Sequence, residues 1–118
     1  MGALTLYGLK NCDTCKKALK ALEGAGCEVT FVDIRAEADL EAKLPMWLAA
    51  AGRDALVNKR STTWRGLDEA MRAQADGDGA AALLSANPTL IKRPVIEAGD
   101  AVHVGWSAAI SGALMRGS

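Results

Sequence analysis

Two cysteines three positions apart, Cys12 and Cys15, stand where a short apolar run gives way to helix-forming sequence, and that arrangement offers thiol chemistry. The run Leu4, Leu6, Tyr7 stops at Gly8. Asn11-Cys12-Asp13-Thr14 then carries helix-start chemistry, with Asn11 placed to cap and Asp13 to meet the dipole. Cys12 is thereby expected at a helix N-terminus, where unpaired N–H groups favour thiolate over thiol and Lys10, Lys16 and Lys17 push the same way. Cys15, one turn further, shares the helical face of Ala18, Leu19 and Leu22 and should be the more buried sulfur. Cys12 is the expected nucleophile, and Cys15 is near enough to resolve a mixed disulfide.

Plainer roles for the pair are open on spacing alone. Two inert core cysteines would need Cys12 to be buried, against its cap position and its lysines. Half of a zinc site would need two more ligands; the chain offers His103 and Cys27, not in a second close-spaced pair, so no metal is expected. Cys27 falls on the same side of a strand as Val29 and Phe31 and reads as a small core residue. His103, with no identifiable carboxylate partner, reads as structural.

The elements that must position this pair follow from the pattern. Half of the 118 residues are hydrophobic, but Phe31, Tyr7 and three tryptophans are the only large rings, so the core must be built from Ala, Leu, Val and Ile, as when helices pack on a sheet. Fourteen basic and fourteen acidic residues cancel, which removes any global field for nucleic acid or a membrane surface and leaves only local anion sites. No apolar run approaches a membrane span and no charged-then-apolar leader precedes the first strand, so a cytoplasmic protein is expected, without membrane or direct nucleic-acid partners. A lone thiol pair in that compartment is more often catalytic or sensory than structural.

After the first helix, Gly24 and Gly26 end the periodic run and Cys27 to Asp33 alternates as a half-buried strand, which the crossover rule makes parallel to the first. Residues 35–87 carry no convincing strand and read as a helical insertion. Leu40, Leu44, Trp47, Leu48 and Ala51 recur at helical spacing, Pro45 breaks or starts a segment and Gly52 closes it. Ala55 to Val57 add a turn, Asn58 to Arg65 a polar, basic loop, and Leu67–Ala75 and Gly79–Ala86 two more helices split at Asp76-Gly77-Asp78-Gly79. Leu90 to Glu97 reads as an approach loop and a strand, Ala98-Gly99-Asp100 as a tight turn into Ala101 to Val104, and Ser107 as the cap of a last helix running to about Met115. The expectation is an α/β protein of thioredoxin-like fold, β-α-β then β-β-α on a mixed four-stranded sheet, forming a single domain over residues 1–118. In that fold a proline before the third strand faces the N-terminal cysteine, and Pro94 occupies its place.

The chain also resembles the arsenate-reductase-like family of thioredoxin-fold proteins, which includes arsenate reductases, Spx regulators and a YffB branch. The resemblance spans essentially the whole chain. It rests on Tyr7-Gly8 through Asn11-Cys12-Asp13-Thr14, on Leu56 to Arg60 with Thr62-Thr63-Trp64-Arg65, on Ile91-Lys92-Arg93-Pro94 and on Val104-Gly105-Trp106-Ser107. Cys12-Asp13-Thr14 and Thr63-Trp64-Arg65 look most like YffB. In the arsenate reductases one cysteine attacks arsenic and arginines hold the oxyanion; the resemblance places these roles on Cys12, Arg60 and Arg93. A third arginine is expected just after the last strand, where this chain has Val104-Gly105-Trp106-Ser107 instead.

Physically, Arg93 precedes the proline expected to face Cys12, and Arg60 lies in the polar loop, so two guanidinium groups can point at the thiol and bind a carboxylate or oxyanion by paired hydrogen bonds. Arg65 and Lys59 read as surface. The anion-binding set is therefore Asn11, Arg60, Arg93 and Pro94 around catalytic Cys12 and Cys15. The expected function is a thiol reductase acting on a disulfide or oxyanion substrate, with no bound cofactor and with glutathione, as the resemblance to YffB implies, or another small thiol as reductant. The rival from another class is an Spx-like regulator that senses oxidation through Cys12 and Cys15 and binds RNA polymerase. Arsenate reduction ranks third.

Overall fold

The computed structural model describes residues 3–36, 38–77, 79–99 and 101–116. Asp78 and Asp100, which the sequence places in turns, lie outside them. The chain divides into two compact units, one running up to Ala38 and resuming at Arg93, the other Asp39–Lys92.

The first unit holds the sheet. Strand β1 (Ala3–Gly8) leads to helix α1 (Asp13–Gly24) and strand β2 (Glu28–Asp33). β1 and β2 are parallel neighbours in the register Leu6 to Phe31, as the crossover rule requires. Strands β3 (Val95–Ala98) and β4 (Ala101–Val104) form an antiparallel hairpin around Gly99, whose φ of 60° suits a residue without Cβ. β3 pairs antiparallel with β1, giving the order β2-β1-β3-β4. This is the mixed four-stranded sheet of a thioredoxin-like fold.

Strand periodicity decides what covers the sheet. Leu4, Leu6 and Ile96 face one way and join Cys15, Ala18 and Leu22 of α1, with Cys27 and Leu114, in a buried cluster. Leu114 comes from the last helix, α7 (Ala108–Arg116), whose start is capped by Ser107 Oγ accepting the Ile110 N–H at 3.2 Å. On the opposite face the Tyr7 hydroxyl donates to Glu97 Oε1 at 3.0 Å.

The second unit is helical: α2 (Leu40–Ala51), α3 (Arg53–Leu56), α4 (Thr62–Arg65), α5 (Glu69–Gln74) and α6 (Ala80–Ala86), then a 3-10 turn at Pro88–Leu90. A single antiparallel bridge joins Val57 to Ile91. Pro45 neither breaks nor starts a helix, contrary to the sequence reading; α2 runs through it. The proline forfeits the bond its N–H would give to Glu41, a disruption of about 3 kcal/mol. Burial of Leu40, Leu44 and Trp47 from the same helix is worth roughly 1.5–3 kcal/mol each and outweighs it. Gly52, with φ 89°, closes α2 as expected.

Candidate functional site

Cys12 is not one residue inside a helix capped by Asn11. It is the capping residue itself, with extended backbone (φ −92°, ψ 118°) and no side-chain hydrogen bond to the helix. A tight turn, closed by the Cys12 N–H donating to the Leu9 carbonyl at 3.1 Å, turns Asn11 out to solvent and delays the helix by one residue. The Cys12 carbonyl accepts the first helical bond, from Lys16 N–H at 3.0 Å. Asn11 therefore supplies no cap, and the sulfur of Cys12 stands where a capping oxygen would be.

Cys15 lies one turn inside, 1% exposed, while Cys12 is half-buried. The two sulfurs are within hydrogen-bonding reach of each other. Burial pushes the Cys15 thiol up to about 12; a hydrogen bond from the Leu9 backbone opposes the rise, the Cys12 sulfur adds to it, and the Arg93 charge tempers it. Near neutrality Cys15 is a thiol. Lys10, Lys16 and Lys17 are exposed around the same turn.

Arg93 arrives from the other end of the unit, immediately before β3, and its bond to the fully buried Pro94 is cis. The Pro94 carbonyl is held by the Gly105 N–H at 2.7 Å. Arg93 Nε and Nη1 are buried and make no hydrogen bond to any described residue. Two oriented, desolvated donors without an acceptor are costly unless an anion fills them, so this arginine has the character of an oxyanion or carboxylate holder. Beyond β4, where the resemblance expects a third arginine, Gly105 is buried with φ 87° and Trp106 packs against the sheet-and-helix cluster.

Arg60 belongs to the second unit and is exposed there. Its segment is tightly tied. Arg60 N–H donates to Asn58 Oδ1 at 3.1 Å, and Arg65 Nη2 donates to the Arg60 carbonyl at 3.2 Å. Arg72, which the sequence reading passed over, donates to the carbonyls of Trp64 and Arg65 at 3.3 and 3.0 Å and lies over the Trp64 ring. Lys59 lies over the same ring, 5.6 Å from its centre, and Arg65 and Lys59 are exposed as expected. Arg72 sits on a helix face with no motif around it, so only its bonds to α4 reveal it.

Among the described residues no group of three or more His, Cys, Asp or Glu side chains is placed to hold a metal ion. Nor is any described helix long and apolar enough to cross a membrane.

The chain has relatives and structural counterparts among known proteins. The chain is 50% identical over 94 residues to an uncharacterized protein of Haemophilus influenzae, covering 79% of this chain and 82% of that one. Among solved structures it is similar to the YFFB (PA3664) protein, 38% identical with a TM-score of 0.82 over 95% of this chain and 98% of that one. It is likewise similar to an arsenate reductase (ArsC) related protein from Brucella melitensis, also 38% identical, with a TM-score of 0.75 over 94% and 92%. The family model for ArsC matches residues 7–112, from the tyrosine before the cysteine turn to the last helix, and the chain belongs to the ArsC family.

Proposed function

We propose that this protein is a thiol-dependent reductase in which Cys12 is the attacking sulfur and glutathione the electron donor. The observation that carries the reading is the pairing of a half-buried sulfur at a helix start with two buried, unpartnered Arg93 donors on the same unit. A helix N-terminus and a guanidinium both favour an anion, and glutathione and its disulfide are carboxylate-bearing thiol reagents. Kinship to an ArsC-related protein supports the same class of chemistry.

In the proposed cycle the Cys12 thiolate attacks one sulfur of a disulfide, a new S–S bond forms, and the other sulfur leaves as a thiolate that takes a proton from water. A glutathione thiol then attacks the Cys12 sulfur and releases the bound half as a second thiol, and another glutathione attacks the resulting glutathionyl–Cys12 bond, forming oxidised glutathione and restoring the Cys12 thiolate. Cys15 is close enough but strongly protonated at neutral pH, so glutathione is the faster resolving thiol. Two glutathione thiols lose two electrons to one substrate disulfide. Arsenate as substrate is disfavoured by Gly105-Trp106 standing where a third guanidinium would be needed.

The test is incubation with oxidised glutathione followed by mass spectrometry. A single glutathionyl adduct on Cys12, together with glutathione-coupled reduction of a dithiol disulfide, is the expected result. Absence of any Cys12 adduct would overturn the reading. Capture of RNA polymerase by the oxidised chain, without turnover, would assign the sulfur pair to a sensing switch instead.

A further inference from the structure

A groove of about 280 Å³ opens beside the cysteine pair, lined by Leu9, Lys10, Cys15, Lys16, Leu19 and Phe31. Its lining is almost wholly apolar, made by Leu9, Leu19, Phe31 and Cys15 together with the side chains of two exposed lysines, Lys10 and Lys16. Leu9 and Lys10 follow β1, Cys15, Lys16 and Leu19 share one face of α1, and Phe31 comes from β2, so one unit builds the whole groove. Among the described residues no carboxylate lines it. Asp33, which feels the Lys10 charge, accepts the N–H groups of Arg35 and Ala36 on one oxygen at 2.8 and 3.0 Å.

Resting on the reductase reading, we infer that this groove selects the substrate: a polypeptide disulfide with an apolar side chain and an acidic residue next to the attacked half-cystine. The volume is slightly below the roughly 300–1,000 Å³ of sites that enclose a whole small molecule, which suits one anchoring side chain. An apolar groove bordered by two exposed lysines is complementary to an apolar residue with a carboxylate neighbour and repels a basic one. Cys15, whose sulfur is within hydrogen-bonding reach of Cys12, is one of the lining residues. A side chain anchored there therefore holds the neighbouring disulfide next to the attacking sulfur. Attack joins Cys12 to one half of the peptide disulfide and releases the other half as a thiol.

The experiment compares three symmetric peptide disulfides, carrying Leu and Glu, Ser and Glu, or Leu and Lys beside the half-cystine, by the rate of the first peptide thiol released. The Leu and Glu peptide should react about tenfold faster than Ser and Glu, and about threefold faster than Leu and Lys. Leu19→Gln should abolish the preference for Leu, read as the ratio of the Leu and Ser peptide rates within the variant, so that a general change in its reactivity cancels. The exposed pair Lys10→Glu with Lys16→Glu should invert the Glu-over-Lys preference; as a ratio, this cancels any general change in Cys12 reactivity. Equal rates for the three peptides, or preferences unmoved in both variants, would overturn the groove as a selector while oxidised glutathione still reacts. Dimerisation through the groove would erase the preferences in the same way and also overturn it. If neither the peptides nor oxidised glutathione modify Cys12, the reductase reading itself falls.

Discussion

Gly8 abuts the sulfur of Cys15: a Cβ built on Gly8 would lie 2.5 Å from Cys15 Sγ and 3.2 Å from its Cβ. The last residue of β1 is thus a glycine because the buried thiol occupies the space any larger side chain would need. Cys15 can yield only by turning about its single side-chain torsion, which would forfeit its bond with the Leu9 backbone. Gly8→Ala should therefore destabilise the protein by about 1–3 kcal/mol, as overpacked cores do. The same substitution in a Cys15→Ala background should cost less, since the closest atom is gone. Urea unfolding of the two single variants and the double variant measures the coupling; additive losses would show that the sulfur is not what Gly8 makes room for.

The two cysteines should divide their labour. Cys12 is half-exposed at the helix start and Cys15 is sealed one turn inside. Oxidised glutathione should accordingly modify wild type and Cys15→Ser at Cys12, and Cys12→Ser not at all. Because Cys15 offers a second, slower route of resolution, Cys15→Ser should accumulate more adduct yet keep glutathione-driven turnover. Peptide mapping decides it: an adduct on Cys15 in Cys12→Ser would reverse the roles.

How much of this was legible beforehand depends on the range of the interaction. The parallel pairing of β1 with β2, the burial of Cys15 and Cys27 and the Ser107 cap follow from local periodicity and chain direction, and the structure shows all of them. The Asn11 cap was misread because propensity ranks asparagine above cysteine as a cap, while the turn closed by Leu9 and Cys12 decides which residue arrives there. Pro45 was misread because helix propensity is blind to the burial on either side of it. Arg93 stands out in the sequence by its place before Pro94, but its orphaned donors depend on packing from distant segments, as does the closeness of Gly8 to Cys15. The groove between α1 and β2 joins residues up to 22 positions apart, Leu9 to Phe31, and has no motif to announce it.

The raised Cys15 thiol makes stability fall with alkali. Unfolding exposes a thiol of ordinary acidity, about 8.5, whereas the folded state holds its proton up to about 12. Between those values the unfolded chain binds fewer protons than the folded one, so stability declines as pH rises, by up to about 1.4 kcal/mol per pH unit. The contribution is fully present below pH of about 8.5. Cys15→Ala should flatten the slope of stability between about pH 9 and 11 even though its small cavity lowers stability overall. An unchanged slope would mean that Cys15 is not held protonated by the fold.

Arg93 should separate stability from binding. With Nε and Nη1 buried and unpartnered among the described residues, the arginine costs the anion-free protein about 1–3 kcal/mol per orphaned donor. Arg93→Met, similar in reach but without donors, should unfold at an equal or higher urea concentration in a buffer free of sulfate and phosphate. Added sulfate should then raise the midpoint of wild type, because a ligand of the native state stabilises by mass action, and leave the variant unmoved. Arg93→Lys should recover only part of the response, having a point charge but no planar pair of donors. Sulfate should also slow alkylation of Cys12 in wild type and not in Arg93→Met, which ties the anion to the sulfur rather than to the surface. A variant that is less stable without anions, yet equally protected by sulfate, would show that the guanidinium serves packing and that the anion is held elsewhere.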